Sequence, residues 1–371
     1  MPDAADLPVP VSAEIDLGAL RHNLRTLRAQ AGEAEVLGIV KANAYGHGVE
    51  HVVPVLQKEG VTTFAVASVP EAVQLRGLGV AGAILVFAAP LPGDLPAYAA
   101  HGIDVTVSSR DIAEAVAAFP DALRVHVKVD TGMHRIGLHP DEVADAVERL
   151  RRAPHVEIAG LWTHFATADE ADLSFTHEQL ERFESVLRAV GEPLPPVHLA
   201  NSGALFHLPE AVRHRAFVRA GGLLYGLPSS EMLMDVAVRP VMRLVARVVH
   251  LQTVEAGETV SYGRTWRAER PTRIATLSIG YGDGLPRQLS NRAVVGIGGR
   301  RYPVAGRVCM DMTMIDLGDP GGEGAEVNVG DQAVIFGPGG PSAFELAEWA
   351  ETISYDLPCG LTARVPRVPT E

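Results

Sequence analysis

Through the first two thirds of the chain, short apolar runs alternate with longer stretches whose apolar residues recur every third or fourth position. The longer stretches read as amphipathic helices, and the short runs as buried strands. Asp16 stands before a helical face of Leu17, Leu20, Leu24 and Leu27, at the place of a capping residue. The run at 36–40 predicts a strand that delivers Lys41. Val49, Val52, Val53 and Leu56 then form one face of a helix. The same unit returns at 64–68 with 70–76, at 84–87 with 95–100, and at 105–108 with 111–119. It continues at 125–130 with 141–152, at 158–163 with 175–190, and at 197–200 with a helical turn from Ser202. A last strand is expected at 217–220. Strands separated by helices pair in parallel, and eight such strands within about 200–250 residues predict a (β/α)8, TIM-like barrel.

After Pro240 the alternation stops. A long strand is expected at 241–254, and short ones at 274–279, 293–297, 304–309, 312–317 and 332–336, separated by Gly and Pro. This pattern predicts a mostly antiparallel β domain. The expected division is a barrel over 1–238 and a β domain over 239–371.

Composition narrows the function classes. The chain of 371 residues carries 32 basic and 45 acidic residues, a net −13, which argues against nucleic acid or a membrane surface as partner. Two cysteines, Cys309 and Cys359, make no disulfide framework, and residues 1–6 lack a basic-then-apolar signal pattern. No apolar run is long enough to span a membrane. A soluble cytoplasmic protein is expected, with no metal site.

Barrels of this kind place their chemistry at the carboxyl ends of the strands. There the pattern puts Lys41, Lys128 with Asp130, His164, Asn201 with Ser202, and Arg219. Phosphate sites often form in the loops after the seventh and eighth strands, which here carry Ser202 and the pair Gly221-Gly222. A hydroxyl and closely approachable backbone N–H groups suit an anion; a helix cap and a tight turn are the plain structural alternatives.

The nine residues Val40-Lys41-Ala42-Asn43-Ala44-Tyr45-Gly46-His47-Gly48 resemble the cofactor-lysine motif of the alanine racemases, pyridoxal-phosphate enzymes in which that lysine holds the cofactor as a Schiff base. Further blocks resemble the same family from about Ala13 to Arg367. They are the segments 128–137, 162–169, 218–226, 259–265, 279–284, 306–312 and 364–367. His134 and Gly222 stand where other members carry different small or apolar residues. The resemblance also pairs 13–17 with the second domain.

What the resemblance implies is specific. Lys41 and Tyr262, the latter from a partner subunit, are the two bases that serve opposite faces of the α-carbon. Tyr45, Tyr355, Ser202, Gly221 and Gly222 hold the cofactor phosphate. Arg219 donates to the ring nitrogen, and His164 stacks on the ring. An arginine has no acceptor, so the nitrogen facing it stays unprotonated, which favours racemisation over transamination. Arg135 and the backbone N–H of Met310 bind the substrate carboxylate, and Tyr281 and Arg307 line the entrance. Lys128 is either carbamylated or an unmodified buried lysine paired with a carboxylate. The implied protein is a homodimer with shared active sites that interconverts L- and D-alanine for peptidoglycan synthesis.

Three other readings fit parts of the pattern. A racemase of broader range differs only in pocket size, and one methylene discriminates weakly. A decarboxylase of the same plan would face the ring nitrogen with a carboxylate instead of Arg219. A non-catalytic pyridoxal-phosphate carrier would lack the domain that holds Tyr262 and Met310.

Overall fold

A computed structural model describes residues 10–371, so the opening stretch without a signal pattern lies outside the described residues. The chain divides into two compact units. One comprises Leu20–Leu224 and Ser230–Val238; the other comprises residues up to Ala19, Tyr225–Ser229 and Arg239–Glu371.

The first unit is the barrel. Its first strand is Glu35–Val36 continued as Gly38–Ile39, followed by Phe64–Val66, Ile84–Val86 and Val105–Val107. Leu123–Lys128, Val156–Trp162, Val197–His198 and Phe217–Val218 complete it. Every neighbouring pair is parallel, with a single bridge from Leu85 to Asp104, and Phe217 pairs with Glu35 to close the ring. The strands read as apolar runs because helices cover them outside and side chains fill them inside. Helices at Val49–Lys58, Val69–Gly77, Arg110–Ala118, Pro140–Arg151 and Ser174–Val190 bury apolar faces. Several expected strands end earlier: 64–68 stops at Val66 because the Ser68 hydroxyl already caps the next helix.

In the second unit one long strand, Met242–Val254, organises the sheet. It pairs antiparallel with Val11–Asp16, Gln332–Phe336 and Thr272–Leu277, the last pairing on with Thr313–Asp316. Val11–Asp16 also takes Arg367–Thr370 in parallel on its other side. Asp16 Oδ1 accepts the Ala19 N–H at 2.7 Å and caps the helix Leu17–Ala31. The expected strand at 304–309 does not form; Arg300–Pro303 pairs with Val294–Ile297 across Gly298-Gly299 instead. Gly306, at φ 84°, turns the chain out of extended geometry, and its N–H goes to Asn291 Oδ1 at 2.6 Å, so 304–309 runs as a loop. Two helices within the β unit, Ala343–Ala350 and Asp356–Gly360, lie where no helix was expected.

Candidate active site

Lys41 opens a tight turn at the carboxyl end of the first barrel strand. Ala42, Asn43, Ala44 and Tyr45 all have left-handed backbones, with φ of 52°, 54°, 55° and 53°. Each costs an L-residue about 1–2 kcal/mol, so four in a row require external support. Within the turn the Ala44 N–H donates to Val40 O at 2.9 Å and the Gly46 N–H to Ala42 O at 2.8 Å. From outside, Glu71 Oε1 accepts the Ala42 N–H at 2.7 Å, and Asn43 Oδ1 accepts the Val49 N–H at 2.8 Å. One turn on from Lys41, the Tyr45 ring centre lies 5.8 Å from Lys41 Nζ. The Tyr45 hydroxyl reaches Gly221, where an added Cβ would stand 2.4 Å from its oxygen and push the ring aside, so the glycine permits this close approach. Gly222 opens the short turn Gly222–Tyr225, and Ser202 is the first residue of the helix Ser202–His207. Asn201 Oδ1 caps that helix through the Ala204 N–H at 3.0 Å, so capping does not use the Ser202 hydroxyl.

Arg219, 5% exposed, has no carboxylate among its hydrogen-bond partners. Nη2 donates to Thr163 O at 2.7 Å, Leu199 O at 2.9 Å and His164 Nδ1 at 3.2 Å; Nη1 donates to His198 Nδ1 at 3.0 Å. Because a guanidinium only donates, His198 Nδ1 must accept, which puts its proton on Nε2. That proton goes to His126 Nδ1 at 3.0 Å, and His126 Nε2–H goes to buried Asp104 Oδ2 at 3.2 Å. One cation thus fixes two tautomers down the barrel interior. Burial and the adjacent Arg219 hold His198 well below the usual imidazole range, which keeps it neutral. Burial first, then Arg135, bring Arg219 down to about 9, still cationic at neutral pH. Its Nε–H and second Nη1–H have no protein acceptor among the described residues and remain available to a ligand.

Lys128 is 2% exposed; its Nζ donates to Val129 O at 2.6 Å and lies 5.0 Å from the Trp162 ring centre. Burial, then the charge of Arg219, bring its pKa down to about 7, against the pull of Asp130. Burial would raise the Asp130 carboxyl, but the backbone N–H groups of His134 and Gly132 outweigh it and the net shift is downward. His164 is driven well below the ordinary imidazole value by burial, then by Arg219 and Arg135.

A cavity of about 370 Å³ gathers Lys41, Tyr45, Arg135, His164, Arg219 and Gly221. Of the other barrel residues singled out from sequence, Lys128, Ser202 and Gly222 do not line the cavity, though Lys128 contacts the ring of Trp162, which does. Trp162 carried no role in the sequence reading. It lines the cavity, stacks on His198 at 5.7 Å with 7° between planes, and has Arg219 Cζ 5.0 Å from its ring centre. Asp104, His126 and His198 were also missed. Their signal was a histidine inside each of two apolar strands, at 125–127 and 197–199, since a polar ring so placed needs partners. No cluster of three or more His, Cys, Asp or Glu side chains among the described residues is arranged to hold a metal.

The β unit carries its candidates separately. Tyr262 is 70% exposed in the single chain and begins a short turn; Ser261, at φ 68°, anchors that turn by donating its hydroxyl to Arg307 O at 2.6 Å. The Tyr281 N–H donates to Cys309 O at 3.0 Å and the Gly282 N–H to Met310 O at 2.8 Å, so the segments 279–284 and 306–312 are tied together. Tyr262 and Tyr281 share a surface depression with Arg287 and Val308. Tyr355 precedes the helix Asp356–Gly360 as its cap residue.

Comparison with known proteins covers nearly the whole chain. The family description "Alanine racemase, N-terminal domain" matches residues 15–229, and "Alanine racemase, C-terminal domain" matches 241–369. An alanine racemase of Chlorobaculum tepidum is 45% identical over 369 residues, covering 96% of this chain and 94% of that protein. One from Deinococcus radiodurans is 44% identical over 359 residues, covering 96% and 97%. Among solved structures, the biosynthetic alanine racemase of Pseudomonas aeruginosa superposes with a TM-score of 0.89 at 37% identity, covering 98% of this chain and 100% of that one.

Proposed function

The chain belongs to the alanine racemase family, and on that premise we propose that its barrel cavity holds pyridoxal 5'-phosphate on Lys41 and interconverts L- and D-alanine. The observation that carries the reading is the juxtaposition in one cavity of Lys41, Tyr45, Gly221 and Arg219. The side-chain-free position at Gly221 beside the Tyr45 hydroxyl suits a phosphate, and Ser202 and Gly222 of neighbouring loops join that set, with Tyr355 by family resemblance. The free N–H groups of Arg219 suit an unprotonated ring nitrogen. The donor set therefore fits the cofactor.

When bound, pyridoxal phosphate supplies an electron-withdrawing ring that acidifies the α-hydrogen of the amino acid joined to it. The chain's residues do the rest. The Lys41 amine takes or returns the α-proton on one face, and the Tyr262 hydroxyl of a second copy serves the other. Arg135 and the Met310 N–H, the latter again from the second copy, hold the substrate carboxylate; Tyr281 and Arg307 shape its entry. Arg219 stays protonated at its pKa of about 9, and because a guanidinium offers only donors, it would face the ring nitrogen in its unprotonated, accepting form. His164, held neutral and lining the same cavity, would sit beside the ring without adding a competing charge. Lys128, with its pKa near 7, presents enough uncharged amine to combine with CO2, and the resulting carbamate would orient Arg135.

The product serves peptidoglycan synthesis. A cytoplasmic setting goes with the reading, since Cys309 and Cys359 form no disulfide; separately, no helix among the described residues is long and apolar enough to cross a membrane. The test is borohydride reduction of the purified protein followed by peptide mapping, with chiral analysis of product from L-alanine. Cofactor fixed on Lys41 and a racemic product are expected; cofactor on another lysine would overturn the assignment.

A further inference from the structure

The left-handed turn of Ala42–Tyr45 raises the question of what holds it. Its residues all carry a Cβ, and none gains from that backbone by itself. Three amide N–H groups converge on the one carboxylate of Glu71, which lies on the neighbouring helix Val69–Gly77. Oε1 takes the Ala42 N–H at 2.7 Å. Oε2 takes the Ala67 N–H at 2.7 Å and the Ser68 N–H at 3.1 Å. The bonds of Oε2 complete a helix-capping box with Ser68. The bond of Oε1 has no part in capping. It reaches across to the amide directly after Lys41, at the end of the adjacent parallel strand.

From this geometry we infer that Glu71 is a positioning residue for the reaction. Its carboxylate clamps the first amide of the left-handed turn to the end of the second barrel strand and so aims both Lys41 and Tyr45. The inference rests on the cofactor reading of Lys41. A carboxylate suits the task because its two acceptor oxygens face two sets of donors, and ionised acceptors make the stronger bonds. Without that bond, a right-handed or extended backbone at Ala42 becomes competitive, and both side chains leave their places together. A misplacement of about 1 Å costs about a hundredfold in rate.

Four variants of the full-length holoenzyme separate clamping from capping. Glu71→Gln keeps the size but can turn an acceptor to only one side. Glu71→Ala removes both acceptors. Ser68→Ala damages the cap and leaves the carboxylate. Glu71→Ala with Ala42→Gly removes the clamp and also the cost of the left-handed backbone at Ala42. Three readouts are taken: kcat and KM; the pH midpoint of the visible absorbance of the lysine-bound cofactor; and hydrogen exchange of the peptides spanning 40–48 and 67–68. The expected result is a kcat lower by about a hundredfold in Glu71→Ala with KM little changed, a displaced absorbance midpoint, and faster exchange in 40–48 as well as at Ala67 and Ser68, which lose the same carboxylate. Glu71→Gln should fall between, Ser68→Ala should keep wild-type kcat, and Ala42→Gly should restore part of the loss. The inference is overturned if Glu71→Ala folds with unchanged kcat, absorbance and exchange, or if Ser68→Ala reproduces its losses and Ala42→Gly restores nothing. Exchange in 40–48 is read equally without cofactor, so a failure of the cofactor assignment is distinguishable from a failure of the clamp.

Discussion

The barrel cavity and the Tyr262 loop differ in how far one chain finishes them. In the barrel, Arg219 is buried and its partners are fixed through two histidines to a buried carboxylate; Lys128 and Trp162 are packed in place. On the β unit, Tyr262, Met310 and Tyr281 are 70%, 52% and 43% exposed, on loops tied by backbone bonds but with their side chains uncovered. The first region has its electrostatics settled inside one copy. The second has its backbone settled and its side chains waiting.

The sharpest break of this comparison removes one base from each region. On the proposed reading, Lys41→Ala loses the cofactor anchor and one base, and Tyr262→Phe loses the other. Each homodimer should fall in kcat by about 10⁴-fold, at the upper end of what one acid–base group contributes. Tyr262→Phe should still exchange the α-hydrogen of one alanine enantiomer with deuterium oxide through Lys41, as mass spectrometry would register. Exchange of both enantiomers at equal rate would remove Tyr262 from the reaction.

A smaller loss is expected within the barrel. Arg219→Glu puts an acceptor where the relay requires a donor, so the His198 tautomer must reverse or the ring nitrogen must take up a proton. Racemisation should slow by about a hundredfold, with a new long-wavelength absorbance in the presence of alanine and measurable transamination. An unchanged spectrum and rate would show that Arg219 does not meet the cofactor.

The smallest effect belongs to Lys128, and its sign follows from its pKa. With a value near 7, the amine is charged below neutrality and uncharged above it, and only the uncharged form combines with CO2. With labelled bicarbonate, a carbamate carbon resonance should grow as pH rises through 7 and be absent in Lys128→Met. Stripping CO2 at pH 8, where the uncharged amine forms the carbamate, should cost about tenfold in activity, the worth of one charge-assisted hydrogen bond to Arg135, and at pH 6 should cost little. Full activity without the resonance at pH 8 would assign Lys128 to its unmodified state.

How much of this was legible in the sequence follows the same division. The barrel strands were legible because parallel strands buried on both faces must be apolar throughout, and their ends then located Lys41, Lys128, His164 and Arg219. The segment 304–309 has a similar apolar content, yet Gly306 and the Asn291 side chain make it a loop, which depends on a partner 15 residues away. The left-handed turn was not legible at all. Lys-Ala-Asn-Ala-Tyr contains no glycine, and its conformation is held by Glu71, 29 residues further on. Asp104 immediately precedes the strand Val105–Val107, and His126 and His198 lie on two other strands, so only the closed barrel makes them one relay.

Mixing the two inactive variants decides whether the two regions complete each other across copies. Lys41→Ala and Tyr262→Phe chains are co-expressed with different tags, and the mixed dimer content is measured before assay. In a two-fold dimer, one site of a mixed pair combines both lesions and the other combines an intact Lys41 with the partner's intact Tyr262. Random assortment makes about half the dimers mixed, each with one good site, so activity should return to about a quarter of wild type. If both bases came from one chain, every site would keep a lesion, and a sample containing mixed dimers would stay as inactive as its parents.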